Sequence, residues 1–147
     1  RERTGAMTLI CDSDAAAAVA TTQIAGAARA MYSMPPDHGA AIVELILSND
    51  ALRTEWDVEL TEMRDRINCL RAQFVKQIQS IGIEQDFSFI EKEKGMFSFL
   101  GVNVDQVQTL VNDYSIYLVN SSRINVAGIN DSNIEYLSNS LAAVLKA

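Results

Sequence analysis

Ser48-Asn49-Asp50-Ala51-Leu52-Arg53-Thr54-Glu55-Trp56 opens, and Phe74-Val75-Lys76-Gln77-Ile78-Gln79-Ser80-Ile81-Gly82 closes, the stretch that organises this chain. Through it Leu52, Trp56, Leu60, Met63, Ile67, Leu70, Phe74 and Ile78 recur three or four apart. That spacing puts one apolar stripe on an α-helix. Ser48-Asn49-Asp50 supplies N-cap chemistry and Gly82 a C-cap, so the helix is predicted from Ala51 to Ile81. At about 1.5 Å per residue it is roughly 45 Å long, more than the diameter of a small domain. A helix of that length joins two bodies, expected as 1–62 and 63–147.

Before it, Gly5-Ala6-Met7-Thr8-Leu9-Ile10-Cys11 has the nearly continuous apolar texture of a strand covered on both faces. The region offers it no partner strand. The expectation is therefore a piece of a longer protein whose remaining strands lie upstream. Asp12-Ser13-Asp14 starts a helix running to about Met31, and Pro35-Pro36 ends it. A short helix over Ala40–Leu47 has no polar face, so it is expected to be buried or in an interface.

After the long helix the texture changes. Phe87–Ile90 and Met96–Phe99 read as two strands of a hairpin around the charged turn Glu91–Gly95. Asn103 with Gln106 makes a capping pair for a helix through Asp113. Ile116–Val119 and Ile124–Ala127 read as further strands, and a last helix starts at Asn130 or Ser132 with Ile134, Leu137, Leu141 and Leu145 on one face. Residues 63–147 thus read as an α+β body, its small sheet covered on one side by the last helix.

The composition narrows the classes of function. Of 147 residues, 48% are hydrophobic and 21% charged, which is a globular balance. A net charge of −7 without a basic run gives no surface for a row of phosphates, so no nucleic-acid partner is expected. No apolar stretch is long enough to span a bilayer. His38 is the single histidine, and Cys11 and Cys69 lie far apart, so no metal site is expected. Both cysteines sit in apolar patterns and read as buried thiols of a reducing, cytoplasmic compartment.

Four stretches carry a resemblance. They are Glu2-Arg3-Thr4-Gly5-Ala6, the run from Arg29-Ala30-Met31 through Pro35-Pro36-Asp37-His38-Gly39-Ala40, Gly95-Met96-Phe97-Ser98-Phe99, and Ser122-Arg123-Ile124-Asn125-Val126-Ala127-Gly128. In this order and spacing the chain resembles the C-terminal portion of the aspartate/aromatic amino acid aminotransferases. These are fold-type I, pyridoxal-phosphate-dependent enzymes. The resemblance implies an α/β and α+β fold: part of the large cofactor domain over 1–62, a connecting helix, and the small domain over 63–147. It implies transfer of an amino group between an L-amino acid, aspartate or aromatic, and a 2-oxo acid such as 2-oxoglutarate. It also implies a homodimer with composite active sites.

The same resemblance implies roles for single residues. Arg3 matches the arginine that binds the cofactor phosphate, a role suited to a forked, permanently charged donor. Arg123 matches the arginine that clamps the substrate α-carboxylate, and it is expected to face an open cleft between the long helix and the small domain. Arg29 matches the arginine that reaches a dicarboxylate's distal group in the neighbouring subunit's site, although a cation there also suits the helix dipole. Phe97 matches an aromatic in the wall of the substrate pocket. The Schiff-base lysine falls before residue 1 in this alignment; Lys76, Lys92, Lys94 and Lys146 match no such motif, so no catalytic residue is assigned within the chain. Met31 and Met34 stand where many aspartate-preferring members carry asparagine. Two other readings fit the residues: another fold-type I enzyme, or a stand-alone α+β binding or dimerisation module without cofactor.

Overall fold

The structure, a computed structural model, describes residues 2–146. The chain divides into two compact units, one up to Asp57 and one from Val58 onward.

In the first unit, α1 (Asp14–Tyr32) is capped by Ser13, whose Oγ accepts from the Ala16 amide at 3.2 Å. It ends where Ser33 turns to φ 60° and donates its amide to the Arg29 carbonyl at 3.0 Å. The second helix, α2 (His38–Ser48), follows the Pro35-Pro36 break. Residues 2–4 lie against its first turn. His38 Nδ1 and Glu2 Oε1 are 3.0 Å apart, and a Cβ on Gly39 would collide with the Thr4 hydroxyl. The predicted strand at Gly5–Cys11 is absent; the segment forms no regular element. A strand exists by pairing, and among the described residues of this unit there is no strand to pair with.

None of the described residues up to Asp57 is buried. Met7, Ile10, Met31, Met34 and Leu45 are each more than half exposed. Each large apolar side chain left in water forgoes about 1.5–3 kcal/mol. We therefore expect the 147-residue chain to self-associate through this unit at micromolar concentration, read by sedimentation. In dilute monomer, amides of α1 and α2 should exchange with opening free energies of only about 0–1 kcal/mol. Protection of those amides as strong as that of the second unit would show that the unit needs no outside cover.

The third helix, α3 (Asp50–Ser80), begins with the Asn49 side chain accepting from the amides of Ala51 and Leu52. Its apolar stripe is exposed at Leu52, Trp56, Leu60 and Met63 and becomes buried only at Leu70, Phe74, Val75 and Ile78. Gly82, at φ 71°, follows it in the left-handed conformation expected of a C-cap glycine. Cys69 is exposed and Cys11 half-buried, against the expectation of two buried thiols. Position 69 lies off the buried side marked by residues 70, 74 and 78, which is why its sulfur meets water.

The second unit is built on that buried stripe. Its core joins Phe74 and Ile78 of α3 with Phe87, Ile90, Leu100, Val107, Leu110, Val126 and Leu141. The predicted hairpin is not formed. Phe89–Lys92 is instead a single helical turn, α4. The buried pair is Phe87 and Ile90, three residues apart, whereas Phe89 is partly exposed. That is a helical period, which four apolar-rich residues cannot distinguish from a strand. The Asp86 carboxylate helps to turn the chain here by accepting from the Ser88 amide at 2.8 Å and the Ser88 hydroxyl at 2.9 Å, and these bonds hold its pKa below the usual aspartate value.

The sheet has two strands, β1 (Phe97–Phe99) and β2 (Arg123–Asn125), paired antiparallel with Phe97 opposite Asn125 and Phe99 opposite Arg123. Val126–Gly128, predicted as the end of a strand, closes into a 3-10 turn. Residues 116–119 show the expected alternation, with Ile116 and Leu118 half-buried and Tyr117 and Val119 exposed, but they pair with no strand. The fifth helix, α5 (Val104–Tyr114), opens with the predicted capping box: Asn103 Oδ1 accepts from the Gln106 amide and Gln106 Oε1 from the Asn103 amide. The last helix, α6 (Ile134–Lys146), buries Leu141 fully and packs Ile134, Leu137 and Leu145 against the core. Among the described residues no helix is long and apolar enough to cross a membrane.

Candidate functional site

Arg123 and Phe97 meet on one face of the β1–β2 ribbon. Side chains alternate across a strand, so Ser98 and Ile124 turn to the core while Phe97, Phe99, Arg123 and Asn125 turn outward. Phe97 and Arg123 are diagonal neighbours across the pair, within reach of long side chains. The Arg123 guanidinium carbon lies over the Phe97 ring, 4.7 Å from its centroid. A cation–π contact at an exposed site is worth about 0.5–1 kcal/mol, enough to bias the rotamer of a long side chain. Arg123 forms no ion pair among the described residues, so its five N–H donors remain available to an anion.

Both residues line a cleft of about 760 Å³ whose surface is mostly apolar. Tyr117 and Val119 from the segment before β2 line it too, as do Asn125 of β2 and Tyr136 of α6. The lining takes nothing from α3, contrary to expectation. In this unit the α3 side chains at Phe74, Val75 and Ile78 are committed to the core. A single fixed cation beside apolar and aromatic walls suits a small carboxylate that carries an apolar or aromatic side chain.

Ser122 sets the start of β2. It is buried, with φ 62°, and its carbonyl accepts from the Leu100 amide at 3.0 Å while its hydroxyl accepts from the Gly101 amide at 3.1 Å. A left-handed serine buried next to the arginine fixes where β2 begins and therefore which face Arg123 takes. Ser122→Val should cost about 2–4 kcal/mol, from backbone strain on a β-branched residue and a lost hydrogen bond. Ser122→Gly should stay within about 1 kcal/mol, because glycine adopts this φ freely. Urea unfolding of both variants checks this. A valine variant as stable as the parent would remove the strain argument.

Two further arginines, on which no sequence motif falls, hold the ribbon from α3. Arg66 donates to the carbonyls of Ala127 and Ile129 at 3.3–3.4 Å, bracing the turn after β2. Arg71 is buried and donates to carbonyls of α4 and of the β1 region. The signal for Arg71 was its position, four residues after Ile67 and three before Phe74, on the apolar side of the helix.

Arg3 and Arg29 lie in the first unit. Arg3 is exposed, its neighbours Glu2 and Thr4 lying against the first turn of α2. Arg29 is exposed in the last turn of α1. Neither forms an ion pair among the described residues. Uncommitted guanidinium groups fit phosphate and carboxylate ligands in chemistry. Among the described residues no three His, Cys, Asp or Glu side chains gather as a metal site would require.

The chain is similar to known proteins over nearly its whole length. The family profile "Aminotransferase class I and II" matches residues 1–141. Aspartate aminotransferase of Haemophilus influenzae is 48% identical over 144 residues, which is 98% of this chain and 36% of the relative. Aromatic-amino-acid aminotransferase of Escherichia coli is 35% identical over the same share of each. The crystal structure of the Burkholderia pseudomallei aromatic-amino-acid aminotransferase, covalently bound to pyridoxal phosphate, superposes with a TM-score of 0.81 at 44% identity. It covers 92% of this chain and 34% of that one. The chain thus spans about a third of the length of the relatives it matches. It belongs to the class I and II aminotransferases.

Proposed function

We propose that the whole protein carrying this chain transfers an amino group between an L-amino acid, aspartate or an aromatic one, and a 2-oxo acid such as 2-oxoglutarate. The observation that carries the proposal is Arg123: an exposed guanidinium, free of ion pairs among the described residues, lying over the Phe97 ring and lining a mainly apolar cleft with it. In this reading Arg123 binds the substrate α-carboxylate through two parallel N–H donors and so orients the amino group. Phe97 keeps the guanidinium flat and forms one wall of the pocket. Arg29 pairs with a dicarboxylate's distal group in the site of a partner subunit, which makes the protein a homodimer with composite sites. Arg3 binds the phosphate of pyridoxal phosphate. When bound, that cofactor acts as the electron sink that makes the α-proton of an amino acid removable. Residues 1–62 then belong to the large cofactor domain and 63–147 form the small domain of a cytoplasmic enzyme. The lysine that carries the cofactor lies outside this chain.

The complete protein, loaded with pyridoxal phosphate, should form glutamate from 2-oxoglutarate with L-aspartate or L-phenylalanine as donor. The 147-residue chain alone should form none, and its absorbance spectrum should show no new band when the cofactor is added. Absence of amino transfer by the loaded complete protein with both donors would overturn the proposal. Transamination by the isolated chain would overturn the placement of the lysine.

A further inference from the structure

The group in this unit that the proposed reaction leaves unused is the guanidinium of Arg71, 1% exposed on α3. We propose that Arg71 is a positioning residue: it lines the free edge of β1 as a third strand would, and so holds Phe97 under Arg123. The inference rests on the reading of Arg123 as the carboxylate-binding residue.

The hydrogen-bond phase of the ribbon carries the argument. The Val126 amide donates to the Met96 carbonyl at 2.7 Å and the Leu100 amide to the Ser122 carbonyl at 3.0 Å. In an antiparallel ladder the bonded residues alternate, so residues 96, 98 and 100 face β2 with their backbone groups. The backbone groups of Phe97 therefore point to the opposite edge, where among the described residues the two-stranded sheet has no further strand. Arg71 occupies that edge. Its Nη2 donates to the Phe97 carbonyl at 3.0 Å and to the Gly95 carbonyl at 2.7 Å, and its Nη1 to the Ile90 carbonyl at 2.9 Å. Nη1 also donates to Ser98 Oγ, whose own proton goes to Glu93 Oε2 at 2.5 Å. Glu93 Oε2 is itself 3.5 Å from Nη1, so a carboxylate balances the buried charge. Only Nε is buried without a partner among the described residues.

A planar fork is needed for this. One cation with rigid donors reaches carbonyls on both sides of the turn between α4 and β1, which a lysine's single ammonium cannot do. The restrained element is a strand of three residues whose middle side chain is core and whose first carries the ring beneath Arg123. Loosening that edge moves the ring and with it the direction of the guanidinium, and misplacement by about 1 Å is enough to weaken a bidentate carboxylate pair.

The test uses the complete, cofactor-loaded protein and succinate as a simple dicarboxylate probe, with calorimetric dissociation constants. Arg71→Lys should weaken succinate about tenfold and raise KM for the amino acid more than it lowers kcat, with pyridoxal phosphate affinity within about twofold. On an Arg123→Ala background the same change should add nothing, because Arg71 acts through Arg123. Should Arg71→Lys fail to fold, Ser98→Ala, which removes a hydrogen-bond partner of the guanidinium, and Glu93→Gln, which removes its counter-charge, should each weaken succinate about threefold. A folded Arg71→Lys protein that binds succinate as the parent does overturns the proposal. So does full additivity with Arg123→Ala, or unchanged affinity in both the Ser98 and Glu93 variants. If Arg123→Ala weakens succinate while Arg71→Lys does not, only the inference about Arg71 fails. If Arg123→Ala has no effect on succinate, the carboxylate reading fails with it.

Discussion

Arg123→Ala in the complete protein should lower kcat/KM for the amino acid about 10³-fold, a loss of roughly 4 kcal/mol in transition-state stabilisation. The size follows from what is removed. A charge-assisted, bidentate contact is about twice as strong as an ordinary hydrogen bond, and in the proposed role it also fixes the geometry of the reacting centre. Both kcat and KM should change, because the carboxylate is held in the ground state and must stay aligned afterwards. Arg123→Lys should regain little: an ammonium restores the charge without the paired donors of a planar fork. Melting temperature should barely move, since the side chain is exposed and forms no ion pair among the described residues. Steady-state kinetics with both donors, beside a thermal melt, decides the matter. A loss below about tenfold in a folded variant would remove Arg123 from the binding role.

A large effect on stability is expected at Arg71. Arg71→Met keeps an unbranched stem in the core but leaves the carbonyls of Ile90, Gly95 and Phe97 without the donor they share. A buried acceptor that loses its partner, as at Ile90, costs about 1–3 kcal/mol; the partly buried carbonyls of Gly95 and Phe97 cost less, and the apolar replacement offsets part of the sum. Glu93 is about one-third exposed, so its stranded charge is partly solvated and adds less than a buried one would. A net loss of about 3 kcal/mol is a large share of a domain's stability of roughly 5–15 kcal/mol. The urea midpoint of the second unit should therefore fall steeply in the 147-residue chain, with the largest loss of amide protection along β1 and α4. A loss below about 1 kcal/mol would mean that water replaces the guanidinium at no cost, and that α4 and β1 hold their places without it.

Much of this chain could be read one residue after another. The helices α3 and α6 follow from apolar spacing, α1 and α5 from caps at Ser13 and at Asn103 with Gln106, and α2 from an apolar run after the Pro35-Pro36 break. Such signals act within four residues, so they survive without knowledge of the fold. The family landmarks were legible for the same reason, each being a short run of fixed residue types. Where the reading failed, the missing information was distant in sequence. Met96–Phe99 was expected to pair with Phe87–Ile90 nearby, yet β1 pairs with β2 about two dozen residues further on. Gly5–Cys11 has the composition of a strand and is none, because strand structure depends on a neighbour.

The candidate site divides along the same line. Arg123 and Phe97 were named from short runs of sequence, but their stacking, 4.7 Å apart, results from a ladder register that no local pattern encodes. In the sequence Arg71 is legible only as a cation on the apolar side of a helix. Its burial at 1% exposure and its set of carbonyl partners exist only once α3, α4 and β1 are folded together. The physical reason is common to these cases. Helical periodicity and capping are satisfied by bonds within a few residues, so residue order alone determines them. Strand pairing and the burial of a charge are satisfied by groups far along the chain, so only the tertiary structure decides which groups those are.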